Sequence, residues 1–206
     1  GDLRAARDAI EAYKTAELRD YFKDECVDAV RSRLTTFDRL SADTAVVYPI
    51  MFNSRLELLM SLPSGLKRIS VPVSADQLTQ EIRAFRRLVE KRTTREYLPH
   101  AQQLYDWLIR PLEPDLFHQK ISTLVIVPDS ALRTIPLAAL HDGTSFLVSK
   151  FALAMTPGLT LTDPRPLNRE KLRFLTAGLT TAVQGFPALP YVANEVESIQ
   201  QLYKSD

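Results

Sequence analysis

Leu124-Val125-Ile126-Val127 is an apolar run without alternation, and Pro128-Asp129 stops it at once. A strand with one solvated face alternates apolar and polar residues, so an unbroken run predicts a central strand covered on both faces. The succession of helix, strand, loop, strand and helix in the second half argues for α/β layering, helices over a sheet, while a purely structural strand with an ordinary hairpin is the competing reading of the run itself. The residues beyond Val127 lie at the carboxyl end of the strand, where ligands and catalytic groups gather in open α/β sheets. Leu132, Ile135, Leu137 and Leu140 then fold a loop or short hairpin back over the core, and Asp142-Gly143 supplies a tight turn.

The surrounding pattern fits such a layering. Thr44–Met51, an alternating run through Leu56, Leu58 and Met60, and a third through Ile69, Val71 and Val73 are separated by Phe52-Asn53-Ser54 and Pro63-Ser64-Gly65. Three period-two runs and two turns predict an antiparallel meander, and Pro72 places its third strand at an edge. Ser74 and Gln77 form a capping box that opens a helix buried through Leu78, Ile82, Phe85 and Val89. A second helix, with Tyr97, Ala101, Leu104 and Leu108, ends before Pro111. Phe146–Met155 is a candidate strand pair, Leu161–Arg169 a loop, and Leu172–Ala177 a short strand. Asn194 with Glu197 predicts a capping box for a final helix that buries Val196, Ile199 and Leu202. At the other end, Leu3, Ala6, Ile10, Tyr13, Leu18, Tyr21 and Phe22 recur at helical spacing, predicting a long helix with one buried stripe and a break near Asp24.

Of 206 residues, 45% are hydrophobic, enough for a sizeable core, and 26 basic against 25 acidic side chains leave a formal charge of +1. That balance gives no global attraction to nucleic acid or anionic membrane. No apolar run approaches the ~18 residues of a bilayer span. A single cysteine, Cys26, excludes an internal disulfide framework and fits a cytoplasmic location. The charged, amphipathic start GDLRAARDAIEAYK is not a signal peptide, and a start in mid-helix reads as a fragment of something longer.

The candidate chemical groups are few. Cys26 stands among Asp24, Glu25 and Asp28, whose charges disfavour a thiolate, so no catalytic role is expected of it. His100, His118 and His141 lack metal-ligand spacing, and His141 reads as a turn residue. Asp129 and Arg133, just past the strand end, are candidates for lining a substrate pocket by charge complementarity. The competing reading is turn capping by Asp129 and a solvated Arg133. RAFRRLVEKRTTR, residues 83–95, places Arg83, Arg86, Arg87 and Lys91 on one helix face without interleaved aromatics. A solvated face is therefore expected there, not nucleic-acid binding. TAGLTTAVQG, residues 176–185, lacks the spacing of a phosphate loop, and Glu195 and Glu197 do not face each other as an acid–base pair. No cofactor and no metal site are indicated.

LVIVPDSALRTIPLAALHDG followed by SFLVSKFALAMTPG resembles the opening of the CHAT domain, a caspase-like cysteine peptidase family found behind TPR repeats. TAVVYPIMFNSRLELLMSLPSGLKRISVPVS resembles that family's strand meander, ALPYVANEVESIQQLY its Leu-Pro segment and acidic helix, and AIEAYKTAELRDYFKDECV the last helices of a TPR array. The resemblance implies an α/β fold: a caspase-like α/β/α layered sheet, incomplete in this chain, with an N-terminal antiparallel meander and a helical arm. Residues 1–40 would be the arm and 41–206 the N-terminal portion of the CHAT domain. It also implies peptide-bond hydrolysis by a His/Cys dyad downstream of Asp206, so the chain alone is expected to be inactive. A non-catalytic interaction module of the same fold is the alternative. The implied partners are a protein or peptide substrate and a regulatory protein on the arm. An unpaired sheet edge adds possible self-association.

Overall fold

The computed structural model describes residues 2–22, 41–91, 93–159 and 175–203. The chain divides into two compact units, Gly1–Pro164 and Arg165–Asp206.

The first unit is built on a five-stranded sheet. Strands β1 (Thr44–Met51), β2 (Leu56–Leu62) and β3 (Gly65–Val71) form the expected meander. β1 pairs antiparallel with β2 in the register Tyr48↔Leu59, and β2 with β3 in the register Leu58↔Ile69. The β2–β3 turn is so tight that Gly65 takes φ +125°, a conformation that glycine adopts without a Cβ penalty. β4 (Thr123–Ile126) runs parallel to β1 with Val47 opposite Ile126, and β5 (Ala152–Met155) runs parallel to β4. The strand order is β3-β2-β1-β4-β5, so the apolar run of β4 lies between two parallel neighbours. β3 is an edge strand and Pro72 follows it directly.

Period-two alternation in β1 and β2 sorts residues to two cores. Ala45, Val47, Leu56, Leu58 and Met60 point to one face, where α2 (Ala75–Val89), α3 (Leu98–Leu108) and α4 (Glu113–His118) cover them. α2 begins at the predicted box: the Gln77 amide donates to Ser74 Oγ at 3.2 Å, and the Ser74 amide donates to Gln77 Oε1 at 3.1 Å. Leu78, Ile82 and Phe85 are fully buried, as are Ala101, Leu104 and Tyr105 of α3. Val46, Tyr48 and Leu59 point to the other face, where α1 (Leu3–Phe22) packs with Leu3 and Ile10. Asp2 caps α1, accepting from the Arg4 and Ala5 amides at 2.9 and 3.2 Å. Helices on both sides of a mixed sheet give the α/β/α layering expected for the fold class.

Several elements depart from expectation. α1 buries a different stripe: Glu11, Lys14 and Thr15 are 2, 3 and 6% exposed, whereas Tyr13 is 62% exposed and Tyr21 lies open too. The helix turns its polar residues inward because the sheet offers them partners, as shown below. The expected break near Asp24, and Cys26, lie outside the described residues. Of Phe146–Met155 only Ala152–Met155 is strand, while Leu147–Ser149 forms a 3₁₀ turn. That turn directs Lys150 inward to Asp142 Oδ2 at 2.6 Å and Glu113 Oε1 at 2.9 Å.

In the second unit, Leu175–Ala177 has no regular structure and Leu175 is 96% exposed; residues 172–174 of the expected strand are outside the described set. A strand exists only as part of a paired ladder, and the bridge described in this unit is Val183↔Phe186. The final helix, α5 (Val192–Tyr203), starts two residues before Asn194, with the Glu195 amide donating to the Tyr191 carbonyl. Val196 and Ile199 are partly buried, but Leu202 is exposed. Gly178 lies so close to the first turn of α5 that a Cβ there would collide with Val192 Cγ1.

Candidate functional site at the carboxyl ends of β1 and β4

β1 and β4 are parallel, so their carboxyl ends open on the same side, and the Val127 amide extends the ladder by donating to the Val47 carbonyl at 2.9 Å. Beyond that bond the chain leaves the sheet. Asp129 caps a 3₁₀ turn, Ser130–Thr134, by accepting from the Ser130 amide at 2.9 Å, and Ser130 takes φ +45°. The capping reading of Asp129 is therefore realised locally.

Asp129 also faces α1. Lys14 Nζ donates to Asp129 Oδ1 at 2.7 Å and reaches the Pro128 carbonyl at 3.5 Å. Arg133 is not simply solvated: its guanidinium donates to both carboxylate oxygens of Glu17, at 2.9 and 2.5 Å, and its Nε donates to the Pro128 carbonyl at 3.3 Å. One guanidinium nitrogen stands 3.7 Å from Asp129 Oδ1. Two sites singled out in the sequence are thus joined into a quartet with Lys14 and Glu17. One turn earlier, Glu11 accepts from the Tyr48 hydroxyl at 2.8 Å and from the Leu159 amide at 3.0 Å.

The electrostatics follow from these contacts. Burial alone would raise the Asp129 carboxyl, but the Lys14 ammonium, the Ser130 amide and Arg133 outweigh it and hold the group below the usual carboxylate range. The hydrogen bond from Arg133 likewise lowers the Glu17 carboxyl, and Glu17 in turn raises the Arg133 guanidinium. Burial and then the Glu11 charge push the Tyr48 phenol far up, so it stays protonated as a donor.

Between α1 and these strand ends lies a cavity of about 250 Å³. Ile10, Pro49, Ile50 and Val127 give it apolar walls, Lys14 and Asp129 border it, and exposed Tyr13 stands among its lining residues. Such a place can bind and orient a group; among the described residues no thiol lines it, and no histidine does. His100 is bonded to Glu81 at 2.6 Å, His118 ends α4, and His141 Nδ1 accepts from the Gly143 amide at 3.0 Å inside the expected turn. Among the described residues no group of three His, Cys, Asp or Glu could hold a metal ion. No helix among them is long and apolar enough to cross a membrane. Arg83, Arg86, Arg87 and Lys91 are exposed, Arg86 pairing with Glu90 at 3.4 Å and Lys91 with Glu96 at 3.4 Å.

A second charged cluster lies on the opposite side of the sheet. Lys150 Nζ donates to Tyr105 at 3.0 Å as well as to Glu113 and Asp142. Burial and the bond to Glu113 push the Tyr105 phenol up to about 12. The hydrogen bond from Lys150 and the Ser145 and Thr144 amides hold the Asp142 carboxyl well below the usual range. This cluster has the form of a structural clamp, tying α3 and α4 to the turn before β5.

Sequence reasoning missed Glu11, Lys14 and Glu17. For Lys14 a signal was present: Leu3, Arg7, Ile10, Lys14 and Leu18 recur at helical spacing just as the apolar residues do. Weighting by hydrophobicity hid it.

A family model described as CHAT domain matches residues 98–206, beginning where α3 begins and including β4, Asp129, Arg133 and β5. No curated protein matches the sequence.

Proposed function

The chain belongs to the CHAT domain family, and on that premise we propose that it forms the sheet and one wall of the substrate cleft of a caspase-like cysteine endopeptidase. In this reading the substrate is a protein or peptide. The hydrolytic His/Cys dyad lies outside the described residues, and α1, as the end of a TPR-type arm, communicates the state of a regulatory partner. A cytoplasmic setting, in which a cysteine nucleophile stays reduced, fits the same reading.

The observation that carries the proposal is the cavity at the carboxyl ends of two parallel strands, bordered by Asp129. That is where an open α/β sheet presents ligands to its loops. Its walls come from both the meander and the loop after β4, so a bound chain would lie across the strand ends. The likeness to a peptidase family supports the substrate class, and the cavity supports the position of the cleft.

The test is to present the chain with a broad library of capped peptides and read retention and cleavage by mass spectrometry. Retention that is lost when Ile50 and Val127 are both changed to Asp, without cleavage, is the expected result. Cleavage abolished by Cys26→Ala would overturn the assignment of the chemistry to other residues, and absence of retention would overturn the cleft.

A further inference from the structure

We propose that the cavity selects a neutral, apolar side chain, of leucine or methionine type, and that Lys14 of α1 sets this preference by pairing with Asp129 and cancelling its charge. The inference rests on the cleft reading above and names the class of residue the cleft accepts.

A carboxylate bordering an apolar cavity ordinarily invites a lysine or arginine, and Asp129 taken by itself suggests that choice. The structure removes it. Lys14 is 3% exposed and directs its ammonium at Asp129 Oδ1, the Pro128 carbonyl and, at 3.8 Å, a Glu17 oxygen. Of its three donors, one is bonded to Asp129, one reaches the Pro128 carbonyl, and Glu17 stands at ion-pair distance. Arg133 adds a second cation 3.7 Å from the same carboxylate while gripping Glu17 with two nitrogens. The two charged residues that line the cavity, Lys14 and Asp129, pair with each other and sum to zero, and beside them Arg133 and Glu17 form a second balanced pair. A further charge entering the cavity would lose part of its hydration with no unbalanced partner to receive it, which favours neither sign. Glu11 is not among the lining residues, and its carboxylate accepts from Tyr48 and Leu159.

Size and lining supply the positive half of the choice. About 250 Å³ lies below the ~300–1,000 Å³ of pockets that enclose drug-sized ligands. It suits one side chain, not a whole ligand. Ile10, Pro49, Ile50 and Val127 offer that side chain apolar contact, and the buried stem of Lys14 offers more of the same. Lys14 is thus a specificity-determining residue, delivered by a helix that lies outside the region matched by the family model.

The experiment titrates the chain with two capped pentapeptides, alanine throughout except for a central Leu or Arg, and follows the cavity residues by NMR. The unmodified chain should bind the Leu peptide at least tenfold more tightly, with shifts at Ile10, Ile50 and Val127. Lys14→Met should shrink that ratio tenfold or reverse it, by releasing Asp129 for the arginine; adding Asp129→Asn should abolish the gain. If Lys14→Met does not fold, Asp129→Asn alone decides. It should change the ratio less than twofold, whereas loss of Arg-peptide binding would show that Asp129 was available to cations. Equal affinities in the unmodified chain, or an unchanged ratio in Lys14→Met, overturn the selectivity and leave the cleft standing. Failure of both peptides to perturb the cavity residues overturns the cleft and the selectivity together.

Discussion

On one face of the sheet, Leu78, Ile82 and Phe85 of α2 meet Leu56, Leu58 and Met60, apolar against apolar. On the other, α1 brings Glu11 and Lys14 to Tyr48 and Asp129 and fills the gaps between them with Leu3 and Ile10. The first face is held by a non-directional force proportional to area. The second is held by donors and acceptors that must meet atom by atom. Replacing such a polar interface by well-packed apolar residues is often neutral or stabilising, so its presence is weak evidence for stability. What it provides here is register: α1 can take only the position in which Glu11 meets Tyr48 and Lys14 meets Asp129, and that position walls the cavity.

The strongest challenge to this contrast is Phe85→Ala. Phe85 is fully buried in the apolar core, so removing its ring should cost about 3–5 kcal/mol, read as a fall in the urea midpoint with little change in slope. Next comes Glu11→Ala, which strands the Tyr48 hydroxyl and the Leu159 amide and should cost about 1–3 kcal/mol. The double change Glu11→Leu with Tyr48→Phe sharpens the point. It removes both partners of the 2.8 Å bond and should recover part of that loss, whereas a double mutant at least as unstable as Glu11→Ala would mean that α1 is held by charge more than by fit.

The same contrast explains what could be read from the sequence. β1–β3, the box at Ser74 and Gln77, and the apolar stripe Leu78, Ile82, Phe85 announce themselves because their partners are any apolar surface at the right period. The central position of Leu124–Val127 was legible for the same reason, and with it the placing of Asp129 at a strand end. Lys14 was not, because its inward orientation depends on a carboxylate 115 positions away in the chain. Periodicity on α1 favoured Tyr13 and Tyr21, which lie in solvent. The strand expected through Phe146 gave way to a turn because Lys150 had distant partners, Glu113 and Tyr105, that no local pattern reveals. At Asn194 a correct capping pair lies inside the helix it should have opened, since Val192 is already tied back to Leu189.

The smallest expected effect tests whether the apolar face is purely apolar. Its rim holds the Lys150 cluster, where Asp142 accepts from Lys150 at 2.6 Å and from the Ser145 and Thr144 amides at 2.6 Å each. A carboxyl whose folded pKa lies below its unfolded one contributes stability that is complete above the ordinary aspartate range and is lost as pH falls through the folded value. Acidification from pH 7 to 3 should therefore weaken the parent chain more than Asp142→Asn. The excess should be about 1 kcal/mol, the scale of a partly screened charge pair. Taking the difference between the two proteins removes the shared contributions of Glu17, Glu57 and Asp129, whose carboxyls are also lowered. Lys150 sits on the opposite limb: burial works to lower its ammonium, but Asp142, Tyr105 and Glu113 together raise it, so its contribution holds below the ordinary lysine range and fades only in strong base. Parallel acid limbs for the two proteins would mean that the clamp adds nothing to the apolar face; diverging limbs would mean that the half-buried Lys150 pins the rim of this face, as the bonds of buried Lys14 tie α1 to the other.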